Sequence, residues 1–152
     1  MRLSLLAVGQ MRGSAEAPLY EDYATRIKNT GRAIGLDGLH AREIKDHGDA
    51  NAKLDAALDA HKGFCILLDE GGAHWTSRQL AEKISHWRDI NHGDALFVIG
   101  PADGFSPAIK ARADMTLSLG AMTWPHMLAR VMLAEQIWRA ISILTAHPYH
   151  RE

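Results

Sequence analysis

The chain closes on His147-Pro148-Tyr149-His150-Arg151-Glu152, which sets two imidazoles, a phenol and a guanidinium side by side. Imidazole exchanges protons near neutral pH, guanidinium grips phosphates and base edges, and a phenol ring can stack on an exposed nucleobase. Chain ends are ordinarily frayed and dispensable. A tail of this make-up therefore predicts a segment docked for a purpose. Three further stretches could take a ligand. Residues 68–72, 99–104 and 119–125 are glycine-bearing turns directly behind apolar strands, and in open α/β sheets ligands sit beyond the carboxyl ends of the strands.

Other chemistries find less support. The chain has nine histidines, yet no Cys-x-x-Cys and no H-E-x-x-H, so no metal site is expected. There is no G-x-S-x-G nucleophile elbow. None of the three turns reads G-x-G-x-x-G or G-x-x-x-x-G-K-[ST], which argues against a nicotinamide dinucleotide or ATP. The lone cysteine, Cys65, sits inside the apolar run 64–68 and reads as a small buried hydrophobe in a reducing compartment. No run reaches the ~18–20 apolar residues of a membrane span, and MRLSLLAVG is too short for a signal peptide. A cytoplasmic protein is the expectation. Net charge is −1 with a pI near 6.8, so contact with nucleic acid would have to come from a local patch, or from one assembled across two subunits.

The elements that must position these groups follow from periodicity. Residues 2–8, 64–68, 95–99 and 115–119 are apolar enough to be buried strands. Residues 18–29 space Leu19, Tyr20, Tyr23 and Ile27 at helical intervals, and residues 49–61 do the same with Leu54, Ala57, Leu58 and His61. A third helix runs over 76–90, capped by Thr76 or Ser77, and a short one to Ala113 begins at Ser106 with Pro107 in its first turn. Residues 32–44 suggest a strand weakened by Gly35 and Gly38, and 69–73 reads as a turn. Strand and helix alternate with short connections, which indicates one α/β domain over residues 1–152 with a largely parallel sheet flanked by helices.

Residues 127–145 form a helix with almost no polar face. Leu128, Val131, Met132, Ile137, Trp138, Ile141 and Leu144 surround it, so it should be buried on both sides, against the sheet and against a second subunit. A homodimer is the economical expectation. Arg130, Glu135 and Arg139 are the polar exceptions, and buried charges need partners.

The stretch TWPHMLARVMLAEQIWRAISILTAHPYHRE, with IGPADGFSP and LLDEGG before it, resembles the RlmH family. MRLSLLAVG and PLYEDYATRI extend the likeness over essentially the whole chain. These are SPOUT-class methyltransferases that modify N3 of a pseudouridine in 23S ribosomal RNA within the ribosome. The resemblance implies a C-terminal trefoil knot, against the general rule that chains do not knot. It implies S-adenosylmethionine as cofactor, with Leu68, Gly100, Gly120, Ala121, Met122, Thr123, Trp124 and Pro125 lining its pocket. It also implies a homodimer in which one subunit's tail completes the other's site. A pseudouridine N3–H must lose its proton as the methyl arrives. His126, Arg139, His150 and Arg151 are the candidates to accept that proton or to steady the developing charge, with Tyr149 placed to stack on the base. Gly100 would leave room for the ligand to approach.

Two departures stand out. The family writes I-G-G-P-E-G where this chain has Ile99-Gly100-Pro101-Ala102-Asp103-Gly104, and a frequent Ser is Gly120. Pro101 removes an N–H and fixes φ. A SPOUT enzyme with another RNA target, and a ribosome-binding factor without turnover, remain open alternatives.

Overall fold

Apolar runs too continuous for a one-sided sheet are the sequence mark of parallel strands covered on both faces, and this is how the chain folds. The computed structural model describes residues 1–90 and 93–151. The elements run β1 (Leu3–Val8), α1 (Ala17–Gly31), a 3-10 turn (Arg32–Ile34), β2 (Leu39–Ile44), α2 (Ala50–Ala60), β3 (Gly63–Ala73), α3 (Ser77–Asp89), β4 (Asp94–Ile99), α4 (Pro107–Lys110), β5 (Met115–Leu117) and α5 (His126–Leu144). Every strand pairing in the five-stranded sheet is parallel, in the order β2-β1-β4-β3-β5.

Alternate residues of each central strand serve two cores. Leu3, Leu5, Phe97 and Ile66 meet α1, α3 and α5 on one face. Leu6, Val8, Val98, Leu67 and Cys65 meet α2, Phe105 and Ile109 on the other. Trp87 of α3 stacks on Phe64 at 5.4 Å and meets Phe97 edge-on at 6.4 Å. Thr76 caps α3 in a reciprocal box: its hydroxyl accepts from the Gln79 N–H, and Gln79 accepts from the Thr76 N–H. Helix α5 lies between α1 and α3, which buries Leu133, Ile137, Ala140 and Ile141 completely.

The structure corrects the sequence reading in several places. Residues 69–73 belong to β3, but as an irregular bulge, because Leu68 and Ala73 both pair with Leu117 and residues 69–72 stand out of the ladder between them. The region 32–44 divides into the 3-10 turn and β2, with Gly35 in the left-handed region at φ 77° between them. Helix α4 is only four residues long, though Ser106 caps it as expected through the Ile109 N–H. Strand β5 stops at Leu117. Leu19 is 49% exposed, and Leu128 of α5 is 40% exposed, so neither belongs to the core of this chain.

Ile137 fills the centre of the α1–α5–α3 layer, so Ile137→Ala should cost about 3 kcal/mol. Thr76→Ala should cost about 1 kcal/mol. Denaturant titration of both variants checks the ranking. Burial pushes the Cys65 thiol from its ordinary 9.0 up to about 11, with the Asp114 carboxylate adding to the rise. A raised folded pKa favours the protonated form. The stability tied to that proton is therefore intact below pH 9 and declines between pH 9 and 11. Cys65→Ala should flatten that part of a pH-stability profile.

Candidate functional site

The carboxyl ends of three adjacent strands, with the loops behind them, enclose a cleft of about 320 Å3. Leu68, Asp69 and Glu70 of β3 form one wall, and Ile99 with the loop to Phe105 forms the floor. The loop after β5 and the first turn of α5 form the other side, through Leu119, Gly120, Met122, Trp124, His126 and Ala129. This loop is folded on itself. Ser118 donates from its hydroxyl to the Gly120 carbonyl and accepts from the Gly120 N–H, while the Trp124 indole donates to the Leu119 carbonyl. Gly120 sits at φ 122°, where a side chain would be strained.

Five of the eight expected cofactor contacts line the cleft: Leu68, Gly100, Gly120, Met122 and Trp124. Ala121, Thr123 and Pro125 belong to the same loop but are exposed and do not line it. Pro101 is accommodated, because the Gly104 N–H closes a turn onto its carbonyl at 2.9 Å and Gly104 takes the positive φ of 80°. One expectation needs correction. The space above Gly100 is taken by the ring of Phe105, whose Cε1 would lie 2.6 Å from an added Cβ. Gly100 is therefore required by loop packing rather than by open room for a ligand.

Three carboxylates, Asp69, Glu70 and Asp103, face one cation, Lys110, which pairs with Asp69 at 3.6 Å. Asp69, Glu70, Phe105 and Lys110 did not stand out from the sequence. The acidic pair hid in a segment that reads as a turn, and Lys110 reaches Asp69 only because α4 folds back over the end of β3.

Of the remaining candidates, only His126 borders this cleft. Arg139, Tyr149, His150 and Arg151 line none of it, and Glu152 lies outside the described residues. The tail instead folds back on α5. Trp138 meets the rings of His147 at 5.3 Å and Tyr149 at 5.6 Å. The Arg139 guanidinium lies 5.0 Å from the Tyr149 ring centre. Glu135 ties these together, accepting from Arg139 at 2.5 Å and from the Tyr149 hydroxyl at 3.0 Å. The Arg139 pKa is raised, chiefly by its hydrogen bond to Glu135. Burial first, then hydrogen bonds with Tyr23 and Glu135, push the Tyr149 phenol up, so it stays a neutral donor at physiological pH. The sequence marked Glu135 only as a polar exception on an apolar helix. Beneath the tail, Leu19, Tyr23, Trp75, Met132 and Glu135 border a second, more apolar groove.

The third polar exception, Arg130, is 2% exposed. It donates to the Val8 and Gly9 carbonyls and pairs with Glu43 at 2.5 Å. Among the described residues no group of three or more His, Cys, Asp or Glu could hold a metal ion, and no helix is long and apolar enough to cross a membrane.

A family model described as "Predicted SPOUT methyltransferase" matches residues 1–150. A protein of Ruegeria pomeroyi named "Ribosomal RNA large subunit methyltransferase H" is 47% identical over 156 residues, covering 99% of both chains. Proteins of the same name from Roseobacter denitrificans and Paracoccus denitrificans are 45% and 44% identical. They cover 99% and 100% of both chains respectively.

Because the Phe105 ring occupies the space above Gly100, Gly100→Ala should lower the melting temperature by several degrees. Adding Phe105→Leu should recover part of the loss. Thermal denaturation of the single and double variants measures both effects.

Proposed function

The chain belongs to the SPOUT methyltransferase family, and from that premise we propose that it methylates N3 of a pseudouridine in large-subunit (23S) ribosomal RNA, with S-adenosylmethionine as methyl donor. The observation that carries this reading is the cleft at the ends of β3, β4 and β5, in a chain whose relatives carry the name ribosomal RNA large subunit methyltransferase along their whole length. The residues present fit the donor. A cleft of about 320 Å3 is in the range of small-molecule sites. Its carboxylates, Asp69, Glu70 and Asp103, suit a ligand that carries a sulfonium and an ammonium. Leu68, Gly100, Gly120, Met122 and Trp124 would hold the adenosine end, with Ala121, Thr123 and Pro125 shaping the loop behind them.

When bound, S-adenosylmethionine supplies a methyl group that leaves its sulfur as a neutral thioether upon in-line attack. Holding the acceptor nitrogen on that line is the work of the protein, and orientation of this kind supplies much of the rate. The imide N3 gives up its proton as the N–C bond forms, so a proton acceptor or a nearby cation must be present. His126 borders the cleft in the same protomer. Arg139, His150 and Arg151 belong to the tail assembly, where Tyr149, kept as a neutral phenol, orients rather than accepts.

That the tail and cleft of one chain lie apart supports a homodimer, in which the partner's tail reaches this cleft. The half-exposed Leu19 and Leu128 and the apolar groove along α5 supply a surface for such pairing. The C-terminal trefoil knot is proposed on family membership. Action on the ribosome implies a cytoplasmic location.

Calorimetry should show binding of S-adenosylmethionine and none of nicotinamide dinucleotides. Mapping of modified nucleotides in ribosomal RNA from a deletion strain should show one lost methyl on a pseudouridine, and an unchanged pattern would refute the assignment. Deleting residues 149–152 should leave cofactor affinity within about threefold, or about 0.65 kcal/mol. Methylation should fall at least about a hundredfold. Normal turnover with only a lowered melting temperature would show that the tail merely packs on Trp138.

A further inference from the structure

A net charge of −1 gives the chain no overall attraction for a polyanion, so docking depends on where its uncommitted cations lie. Many basic side chains are already paired: Arg26 with Asp22, Lys53 with Asp49, Arg88 with Asp89, and Arg112 with Asp55 and Asp59. Arg12, Arg42 and Lys45 are exposed and form no ion pair among the described residues. They share one corner of the fold. The Gly9 N–H donates to the Ile44 carbonyl at 2.7 Å, and the Met11 N–H donates to Glu43 at 2.7 Å. The loop that carries Arg12 is thereby fastened to the end of β2 that carries Arg42 and leads into Lys45.

Because the sheet is parallel, this corner lies at the same end as the cleft. The first turn of α5 stands between the two, with His126 and Ala129 on the cleft side and Arg130 reaching the end of β1 on the other. Glu43, the acid nearest the corner, is neutralised by Arg130, which leaves Asp46 and Glu16 as the opposing charges. Lys28, Arg32 and Lys62 also have no acidic partner among the described residues, but they lie at the far end of the sheet. Lys28 packs on Gly38 ahead of β2, and Lys62 precedes β3.

We propose that Arg12, Arg42 and Lys45 form a docking rim for the RNA backbone flanking the modified nucleotide. The rim holds phosphates while the cleft holds the methyl donor. This rests on the reading of the substrate as ribosomal RNA. Each phosphate contact a cation makes steepens the salt dependence of binding by about one logarithmic unit or slightly less.

The test combines steady-state methylation of ribosomal substrate with filter binding of its RNA, both across a salt series, on the full-length protein. In the variant Arg12→Gln/Arg42→Gln/Lys45→Gln, KM should rise about tenfold, with kcat and S-adenosylmethionine affinity within twofold. The slope of log KM against log salt should become shallower by about 2 to 3. Asp46→Lys should move KM and slope the opposite way, a gain that misfolding cannot mimic. Lys28→Gln/Arg32→Gln, at the far end, should change neither. Normal methylation with unchanged KM and slope in the triple variant overturns the rim. RNA binding that depends on the three cations, in a protein that fails to methylate, supports the rim and overturns the assigned reaction. Absence of both binding and methylation in the wild type overturns both.

Discussion

The fold turns on one buried guanidinium. Taking Arg130 out of water is costly unless its hydrogen-bonding capacity is met, and two main-chain carbonyls and a carboxylate meet most of it. Those three acceptors come from the end of β1, the loop behind it and β2, while the arginine belongs to α5. One side chain thus fixes the last helix against the first two strands of the chain. This matters because α5 has no side-chain cap at its start, where Pro125 occupies the N-cap position. Its opening turn is held from the side instead. Tyr20, beside this cluster, is pushed up to about 12, mainly by burial, so the arrangement gains no second anion to compete for Arg130.

Such a contact has no signature in the sequence. Glu43 and Arg130 stand 87 residues apart, and Glu43 lies on a strand whose pattern gives little hint of burial on either face. What was legible is whatever a local pattern controls. The apolar runs of β1 and β4 mark strands because both faces of a parallel sheet are covered. An N-cap at Thr76 or Ser77 marks the start of α3, and α5 begins and ends within one residue of its apolar stretch. The second half of β3 was illegible for a physical reason. Asp69-Glu70-Gly71-Gly72 has the composition of a turn, and it is part of β3 only because Leu68 before it and Ala73 after it both pair with Leu117 of β5.

The candidate site divides along the same line. Loops directly behind apolar strands were identifiable, and they do come together around one cleft. Which atoms they offer was not identifiable, because that depends on side chains crossing between loops: Phe105 over Gly100, and Lys110 to Asp69. The composition of the tail singled it out, yet its position on Trp138, apart from the cleft, is a tertiary fact. Glu135 decides that position, and nothing local separates it from any other helical glutamate.

The strand order has a consequence for how the protein is made. Two of the four strand pairings join strands that are not consecutive in the chain: β4 pairs with β1 although β2 and β3 intervene, and β5 pairs with β3 and is the last to join. The sheet face lined by Leu5, Phe97 and Ile66 keeps its central stripe uncovered until α5 arrives between α1 and α3. At a synthesis rate of about 5–20 residues per second, the nascent chain spends seconds with that stripe exposed and its first strands waiting for neighbours. Low-local-contact topologies of this kind fold slowly and expose sticky intermediates. The last helix therefore acts as a commitment step, and substitutions in α5 should be felt first as a lower yield of soluble protein.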